Sequence, residues 1–527
     1  MGYCGASPLS LTRSIMRTMR SRLFLLLTVA LLAAACATPP EMPARAASSS
    51  LTETGDTRLG KAIDPQVRRQ PGLAGVLALA EGREAFALRV LLADAADRSI
   101  DIQTYIWHPD ATGLLVLDAV RRAAGRGVRV RLLIDDNSTA GMDALLAMLD
   151  AHPSIEVRLF NPFVQRDLRA LGYLTEFSRL NRRMHNKSFT VDNQASIVGG
   201  RNIGDEYFAA GQQASFADLD VFVAGSVVRE VSTVFDSYWN SASAYPADSV
   251  LRGRAPLTEA AFEADIARIR SAPATAAYVG ELARTPMARA LLEGALPLQW
   301  VPGRVMADDP AKILERSPRA EGYLAPDLAV ALGEPRTSVD LVSPYFVPGE
   351  AGAQALAALA RRGIRVRVLT NSLAATDVAA VHAGYARRRE VLLQAGVQLF
   401  ELKPDAAARA PGPVGRLGSG SRASLHAKTF AVDGQRLFVG SYNLDPRSSG
   451  LNTEMGLVLE SPALAGGLAT VLDGIAPGSA YKLTLDEQGR VVWLDGGKPP
   501  LRVEPGSSLL RRMAVRVLSW LPIEWML

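Results

Sequence analysis

Cysteine is nearly missing. The 527 residues hold two, Cys4 and Cys36, both close to the N-terminus, so a disulfide-stapled body and a thiolate metal site are excluded for everything beyond residue 36. Histidine and lysine are scarce, at five and seven residues. No His-x-x-x-His and no carboxylate cluster at ligand spacing occurs, so neither a metal nor another cofactor is signalled. Excess charge is lacking where it would matter. The formal net charge is +5, but residues 1–35 carry Arg13, Arg17, Arg20 and Arg22 and no acid. The rest is close to neutral, which argues against a general attraction to nucleic acid. The leader's apolar run, Leu23–Ala35, is thirteen residues long, too few to cross a bilayer.

That run follows arginines and precedes Cys36, which suits the core of a signal peptide. Leu32-Ala33-Ala34-Ala35-Cys36 resembles a bacterial lipoprotein lipobox, with Ala33 where Leu is usual. The expectation is a lipoprotein-type signal peptide over 1–35, lipidation of Cys36, and a body anchored to a membrane of the bacterial cell envelope, inner or outer left open. Simple secretion and an uncleaved anchor are the rivals. Residues 36–74 are Pro-, Ala- and Ser-rich and read as a tether.

Beyond the tether, helical and strand patterns alternate, as an α/β fold requires. Phe86–Ala96 and Gly113–Ala124 read as helices, and Ser99–Ile106, Val128–Ile134 and Ile155–Phe160 as strands. Much of the pattern then returns. Ser338–Leu341 matches Ser99–Ile102, Gly363–Leu369 matches Gly127–Leu133, and Val397–Pro404 matches Ile155–Pro162, at offsets of 239, 236 and 242. A near-constant offset of that size means two copies of one α/β unit. We place the first over 75–245, a connector over 246–322, the second over 323–480 and a C-terminal extension over 481–527. The extension contains an amphipathic helix near Ser507–Leu521, with Leu509, Leu510, Met513 and Val517 on one face and Arg512 and Arg516 on the other; it either packs on the body or meets a membrane interface. The Gly/Pro-rich stretch between Ala406 and Ser421 reads as a surface loop, with a mobile flap as the alternative.

The copies share their chemistry-bearing residues. His185, Lys187, Asp192 and Asn202 recur as His426, Lys428, Asp433 and Asn443, each pair 241 residues apart. A single His-x-Lys on a strand is usually a solvated polar pair; four matched positions at one offset are not coincidence. His and Lys at i and i+2 on a strand share a face. Each strand leads through a turn (Asp192-Asn193-Gln194 or Asp433-Gly434-Gln435) into a second strand ending in Gly199-Gly200 or Gly440-Ser441, where the chain bends and lets the Asn reach the same spot. Lys187, Lys428, Asn202 and Asn443 can then hold the non-bridging oxygens of a phosphodiester as charge builds. One imidazole attacks phosphorus while the other donates a proton to the departing alcohol, an arrangement that two facing copies supply and one cannot. His108, His152 and His382 have no repeated context and read as ordinary surface or packing residues.

These motifs resemble the phospholipase D superfamily, whose mark is His-x-Lys-x4-Asp with a downstream Gly-x-x-Asn, twice per chain. Within it the chain is similar to bacterial cardiolipin synthases, those of the C type in particular, through Leu180–His185, Gly199–Phe208, Thr370–Arg389, Ser424–Gly434, Gly440–Gly456 and Leu521–Trp525. The resemblance implies two α-β-α sandwich units related by a pseudo-twofold. It implies transfer of a phosphatidyl group, from phosphatidylglycerol or phosphatidylethanolamine onto phosphatidylglycerol, through a phosphatidyl-histidine on His185, with His426 as acid and then base. The roles of the two histidines could be reversed. The family motif counts Asp192 and Asp433, although holding the hairpins is the expected role of both; Gly200 and Ser441 belong to the expected substrate-binding set. Glu454 fits the carboxylate that orients the second-copy histidine, while Asp218 and Asp220 compete for the equivalent place in the first. Expected partners are membrane phospholipids and the membrane surface. The alternatives are a phospholipase D that hands the intermediate to water, a nucleic-acid phosphodiesterase, and a non-catalytic lipid-binding lipoprotein.

The anchor is testable directly. Cys36→Ala should abolish labelling of the chain by a radioactive or clickable fatty acid in growing cells, and undiminished labelling would reject lipidation at that residue.

Overall fold

The computed structural model describes residues 42, 45–210, 215–282, 290–291, 293–315, 323–404, 406, 423–475 and 478–527. The leader with Cys36 and nearly all of the Gly/Pro-rich loop lie outside the described residues. Two nine-stranded sheets dominate. The first runs from edge to edge through Gln299–Val301, Ala74–Leu79, Asp220–Gly225, Ala195–Gly199, Ser188–Val191, Ser99–Thr104, Arg129–Asp135, Ile155–Phe160 and Ala244–Pro246. The second runs through Gly303–Ala307, Met455–Glu460, Arg436–Gly440, Lys428–Val432, Ser338–Val342, Arg365–Asn371, Gln398–Leu402, Ala480–Leu485 and Val491–Leu494. The two orders are the same through their shared middle: a motif hairpin beside a parallel trio of strands. Ser99–Thr104 pairs in parallel with Arg129–Asp135 and antiparallel with Ser188–Val191; Ser338–Val342 does likewise with Arg365–Asn371 and Lys428–Val432.

Three departures from the sequence reading concern boundaries: first, the expected tether, 36–74, includes the helix Arg58–Arg69, whose Leu59 and Ile63 are buried in the first core. The stretch expected to be a connector supplies an edge strand to each sheet, Gln299–Val301 to the first and Gly303–Ala307 to the second. Gln299–Val301 falls on the short strand that the sequence suggests near Leu298–Val301, whereas Gly303–Ala307 shows no long alternating pattern. The C-terminal extension also joins the second sheet, through Val491–Leu494.

Both motif hairpins are fixed by the same device. Asp192 and Asn193 take φ of 51° and 50°, and Asp433 and Gly434 take 55° and 62°, the left-handed region that Asp, Asn and Gly tolerate and tight hairpin turns demand. The Asp192 carboxylate accepts the backbone N–H groups of Asp97, Arg98 and Ser99, and Asp433 accepts those of Arg336, Thr337 and Ser338. These aspartates therefore tie each turn to the start of the neighbouring strand. A second duplicated feature lies one strand further in. Buried Arg131 grips Asp101 through two bonds of 2.7 and 2.8 Å, and buried Arg367 grips Asp340 at 2.7 and 2.9 Å. Each guanidinium also reaches a second carboxylate, Arg131 that of Asp236 and Arg367 that of Asp473.

Each sheet has one core on its helical side. On the other side the sheets meet. Val76, Val198, Val221 and Val223 of the first interlock with Leu437, Val439, Leu457 and Leu459 of the second in a dry seam. These strands carry β-branched and aliphatic residues on both faces, the pattern of strands covered on two sides. The motif strands sit beside that seam, so the packing that joins the halves also sets their relative position.

Candidate active site

At one end of the seam the two copies exchange strands' ends. Met184 bridges Thr453; His185 N–H donates to Thr453 O at 2.8 Å, and Thr453 N–H to Arg183 O at 2.9 Å. In the other copy Ala423–Leu425 pairs in parallel with Ser215–Ala217, and His426 N–H donates to Ala217 O at 2.8 Å. The histidines therefore do not lie within the regular motif strands, which begin at Ser188 and Lys428. Each sits in the extended lead-in, hydrogen-bonded to the opposite half.

This exchange decides which carboxylate meets which ring. The residue after Thr453 is Glu454, and its Oε2 lies 2.8 Å from His185 Nδ1. The residue after Ala217 is Asp218, and its Oδ2 lies 2.6 Å from His426 Nδ1. The expectation that Glu454 orients the second-copy histidine is thus corrected: it reaches the first, because the backbone ladder at that point runs between copies. Asp218, not Asp220, takes the equivalent place. Asp220 instead pairs with buried Arg89 at 2.9 Å and accepts Arg201 N–H. With both Nδ1 atoms held, Nε2 is the nitrogen each ring can turn to a ligand.

Both histidines line one cavity of about 570 Å³, together with Asn202 and Asn443. Tyr105 meets the His185 ring edge-on at 5.0 Å; Tyr207 and Phe216 flank His426 at 5.3 and 5.1 Å. Lys187 and Lys428 are buried, each donating to the carbonyl of its own histidine. Asn202 Oδ1 accepts Ile106 N–H at 3.1 Å, leaving its Nδ2 without an acceptor in bonding geometry, and Asn443 Oδ1 is likewise unmatched. Buried amide atoms left open beside a cavity are suited to a ligand that completes them.

Gly200 and Ser441 stand one layer back from the cavity. A Cβ on Gly200 would come within 2.2 Å of Asp218 Oδ1, so this position clears room for that carboxylate. Ser441 donates its hydroxyl to Glu454 Oε2 at 2.5 Å, and its carbonyl lies 3.1 Å from His185 Nδ1. Asp192 and Asp433 lie at the turns described above and touch neither histidine. Sequence reasoning missed Ser448, which donates to Glu454 Oε1 at 2.9 Å, and Asp308, which accepts Glu454 N–H at 2.8 Å. Neither belongs to a repeated motif, so no spacing marked them. Among the described residues no group of three or more His, Cys, Asp or Glu is arranged to hold a metal ion.

The electrostatics are uneven. Burial, with Lys187, Lys428 and His426 close by, pushes His185 well below the usual imidazole range. Burial and Lys428 also lower His426, against an opposing pull from Asp218. Burial lowers Lys187 far below the usual lysine range, and Lys428 to about 8. The carboxylates diverge. Burial raises Glu454 to about 7. Burial acts the same way on Asp218, but the charge and hydrogen bond of His426, with Lys428 and Arg201, outweigh it and hold Asp218 at about 2. Asp218 is therefore a firm anion that favours a proton on His426, while Glu454 shares a proton readily and leaves His185 neutral. Asp377 and Asp445 stand on the same cavity wall and also act on Lys428.

The chain matches the family described as cardiolipin synthase, phospholipase D-like domain, at residues 90–239 and again at 328–475. It is 46% identical over 474 residues to cardiolipin synthase C of Escherichia coli (strain K12), covering 89% of this chain and 100% of that one. It is 26% identical over 404 residues to cardiolipin synthase A of Pseudomonas entomophila (strain L48), covering 76% and 68%. Among solved structures, phosphatidylserine synthase of Haemophilus influenzae Rd KW20 superposes with a TM-score of 0.55 at 16% identity, covering 89% of this chain and 100% of that one. That last likeness is one of fold.

The cross-half pairing predicts a titration. In Asp218→Asn the anion that favours protonated His426 is gone, so the His426 midpoint should move down in pH while that of His185 changes less; NMR of histidine-labelled protein reads both. An unmoved His426 would contradict the pairing.

Proposed function

This chain belongs to the cardiolipin synthase family of phospholipase D-like proteins, and on that premise we propose that it joins two phospholipids into cardiolipin through a covalent phosphatidyl-histidine at His185. As a phospholipase D-type phosphatidyltransferase it acts on phospholipid. Phosphatidylglycerol or phosphatidylethanolamine serves as donor, and phosphatidylglycerol as acceptor. The observation that carries the reading is the pair of rings in one cavity, each held at Nδ1 by a carboxylate from the opposite half.

In the first step His185 Nε2 attacks the donor phosphorus. The bond from phosphorus to the headgroup oxygen breaks, and protonated His426 gives its proton to that oxygen, releasing glycerol or ethanolamine. In the second, a glycerol hydroxyl of phosphatidylglycerol takes the headgroup's place. Neutral His426 takes its proton, the new phosphorus–oxygen bond forms, and the phosphorus–nitrogen bond to His185 breaks. His185 returns neutral and His426 returns protonated. The unequal carboxylates support this division of labour: firmly ionised Asp218 suits the proton carrier, and Glu454 near neutrality keeps its ring a free nucleophile. Lys187, Lys428, Asn202 and Asn443 hold the non-bridging oxygens. Asp192 and Asp433 serve the chemistry only by fixing the hairpins, and Gly200 and Ser441 serve it by placing Asp218 and Glu454. The aromatic wall of Tyr105, Tyr207 and Phe216 keeps water from the intermediate, which favours transfer over hydrolysis. We further propose that the body is held at a membrane of the bacterial envelope through lipidated Cys36.

Purified protein incubated with labelled phosphatidylglycerol, with and without phosphatidylethanolamine, should yield cardiolipin; phosphatidic acid alone would mean a hydrolase, and cleaved oligonucleotide in a parallel reaction a nuclease. In His426→Asn, turnover should fall by roughly 10²–10⁴-fold while mass spectrometry of digests kept alkaline, where the phosphorus–nitrogen bond survives, finds label on His185. Label on His426 in His185→Asn would instead reverse the two roles.

A further inference from the structure

The helix Leu509–Leu518 of the C-terminal extension is capped by the Ser508 side chain, which accepts Arg511 N–H. It docks on the helix Ala379–Ala386 through buried Val515 and partly buried Leu518, against Leu373, Ala379 and Ala383. The expected apolar stripe is not the docked face. Leu509, Leu510, Met513 and Val517 all face solvent, with Leu510 78% exposed, and beyond the helix Trp520 is 73% exposed and Trp525 59%. A body-packed amphipathic helix would turn that stripe inward.

The exposed apolar face adjoins the cavity of the two histidines. Val378, at the start of the docked-on helix, lines the cavity and is itself exposed; Met526 and Leu527 also line it, the latter held by a bond from Arg447 N–H to its carbonyl. A second exposed apolar group lies on the helices Arg169–Thr175 and Phe177–Leu180, where Leu174 is 83% exposed and Phe177 is both exposed and cavity-lining. Charge selects the occupant. Arg511, Arg512 and Arg516 flank the stripe, and among the described residues none of them is paired with a carboxylate. The acids of the extension nearest in sequence, Glu504 and Glu524, are already engaged by Arg389 and by Arg387 and Arg388. Apolar side chains, interfacial tryptophans and unneutralised arginines together fit an anionic bilayer surface better than another protein, whose contact patch would call for acids.

We propose that the outward face of Leu509–Leu518, continued by Trp520, Leu521 and Trp525 and joined by Leu168, Leu174 and Phe177, is the surface on which this protein lies on an anionic membrane. This rests on the reading of the cavity as a phospholipid site, and adds how the lipid arrives. The cavity mouth abuts the bilayer, the phosphate and headgroup rise to the histidines, and the acyl chains remain below. No helix among the described residues is long and apolar enough to cross a membrane, so the contact is interfacial and separate from the N-terminal anchor.

Tryptophan quenching tests it in the full chain. Trp107, Trp239 and Trp493 are buried and Trp300 is half-buried on the edge strand Gln299–Val301, so vesicles of brominated phosphatidylglycerol should quench chiefly Trp520 and Trp525, and Trp520→Phe should remove a large part of that signal. Leu510→Glu/Val517→Glu should abolish the quenching and lower turnover of vesicle phosphatidylglycerol by roughly tenfold or more. The same variant should keep its turnover of monomeric dihexanoyl-phosphatidylglycerol within about twofold, since neither residue touches the cavity. Equal quenching in wild type and variant would overturn the proposal, as would a dimer in solution that the variant splits without change in quenching. Normal quenching with no turnover of the soluble lipid by wild type would instead sink the catalytic reading and leave the docking surface standing.

Discussion

The structure depends on one reciprocal contact: each histidine takes its carboxylate partner from the half to which it does not belong. His185 is tied to Glu454 and His426 to Asp218. Both ties follow from a backbone ladder in which the lead-in of each motif pairs with the other copy one residue before the carboxylate. Neither half alone could hold its imidazole in a defined tautomer. The dry seam of valines and leucines between the sheets brings the halves together, and hydrophobic burial of that kind is non-directional. The ladder supplies the register that such a seam lacks.

Burying two imidazoles, two lysines and two carboxylates at the end of an apolar seam is unfavourable unless the charges balance. Burial lowers both lysines and both histidines and raises Glu454. A phosphodiester between the rings would favour the charged forms of the lysines, as an anion beside a buried ammonium does. The two halves also differ in a way duplication alone would not produce. The short Asp218 fits against Gly200 and meets Arg201 and Lys428, whereas the longer Glu454 needs the hydroxyls of Ser441 and Ser448. Those surroundings set the carboxylates apart in acidity, and with them the tasks of two rings that look alike in sequence.

Much of this was legible in the chain because it is written twice. The constant offset disclosed the duplication, the paired His, Lys and Asn disclosed the site, and Asp192-Asn193 and Asp433-Gly434 disclosed the turns. What stayed hidden needs contacts between distant segments. Glu454 was found but assigned to the wrong ring, since a spacing rule within one copy cannot report a bond to the other. Asp218 and Asp220 lie on one short stretch with alternation on both sides, and only the close approach of Gly199 and Gly200 separates their directions. Edge strands such as Gly303–Ala307 were lost in a stretch with no long alternation. The amphipathic helix was recognised, but which of its faces is covered depends on the helix Ala379–Ala386, more than a hundred residues away.

Two imidazoles from opposite halves should act on one phosphorus from opposite sides. A structure of the enzyme with orthovanadate, which adopts the five-coordinate geometry of phosphoryl transfer, measures it most directly. Vanadium should be bonded to His185 Nε2 at one apex, with His426 Nε2 hydrogen-bonded to the opposite apical oxygen and both Nδ1–carboxylate bonds intact. Vanadate held by one histidine alone, or both rings on the same side of it, would rule out in-line transfer between the two halves.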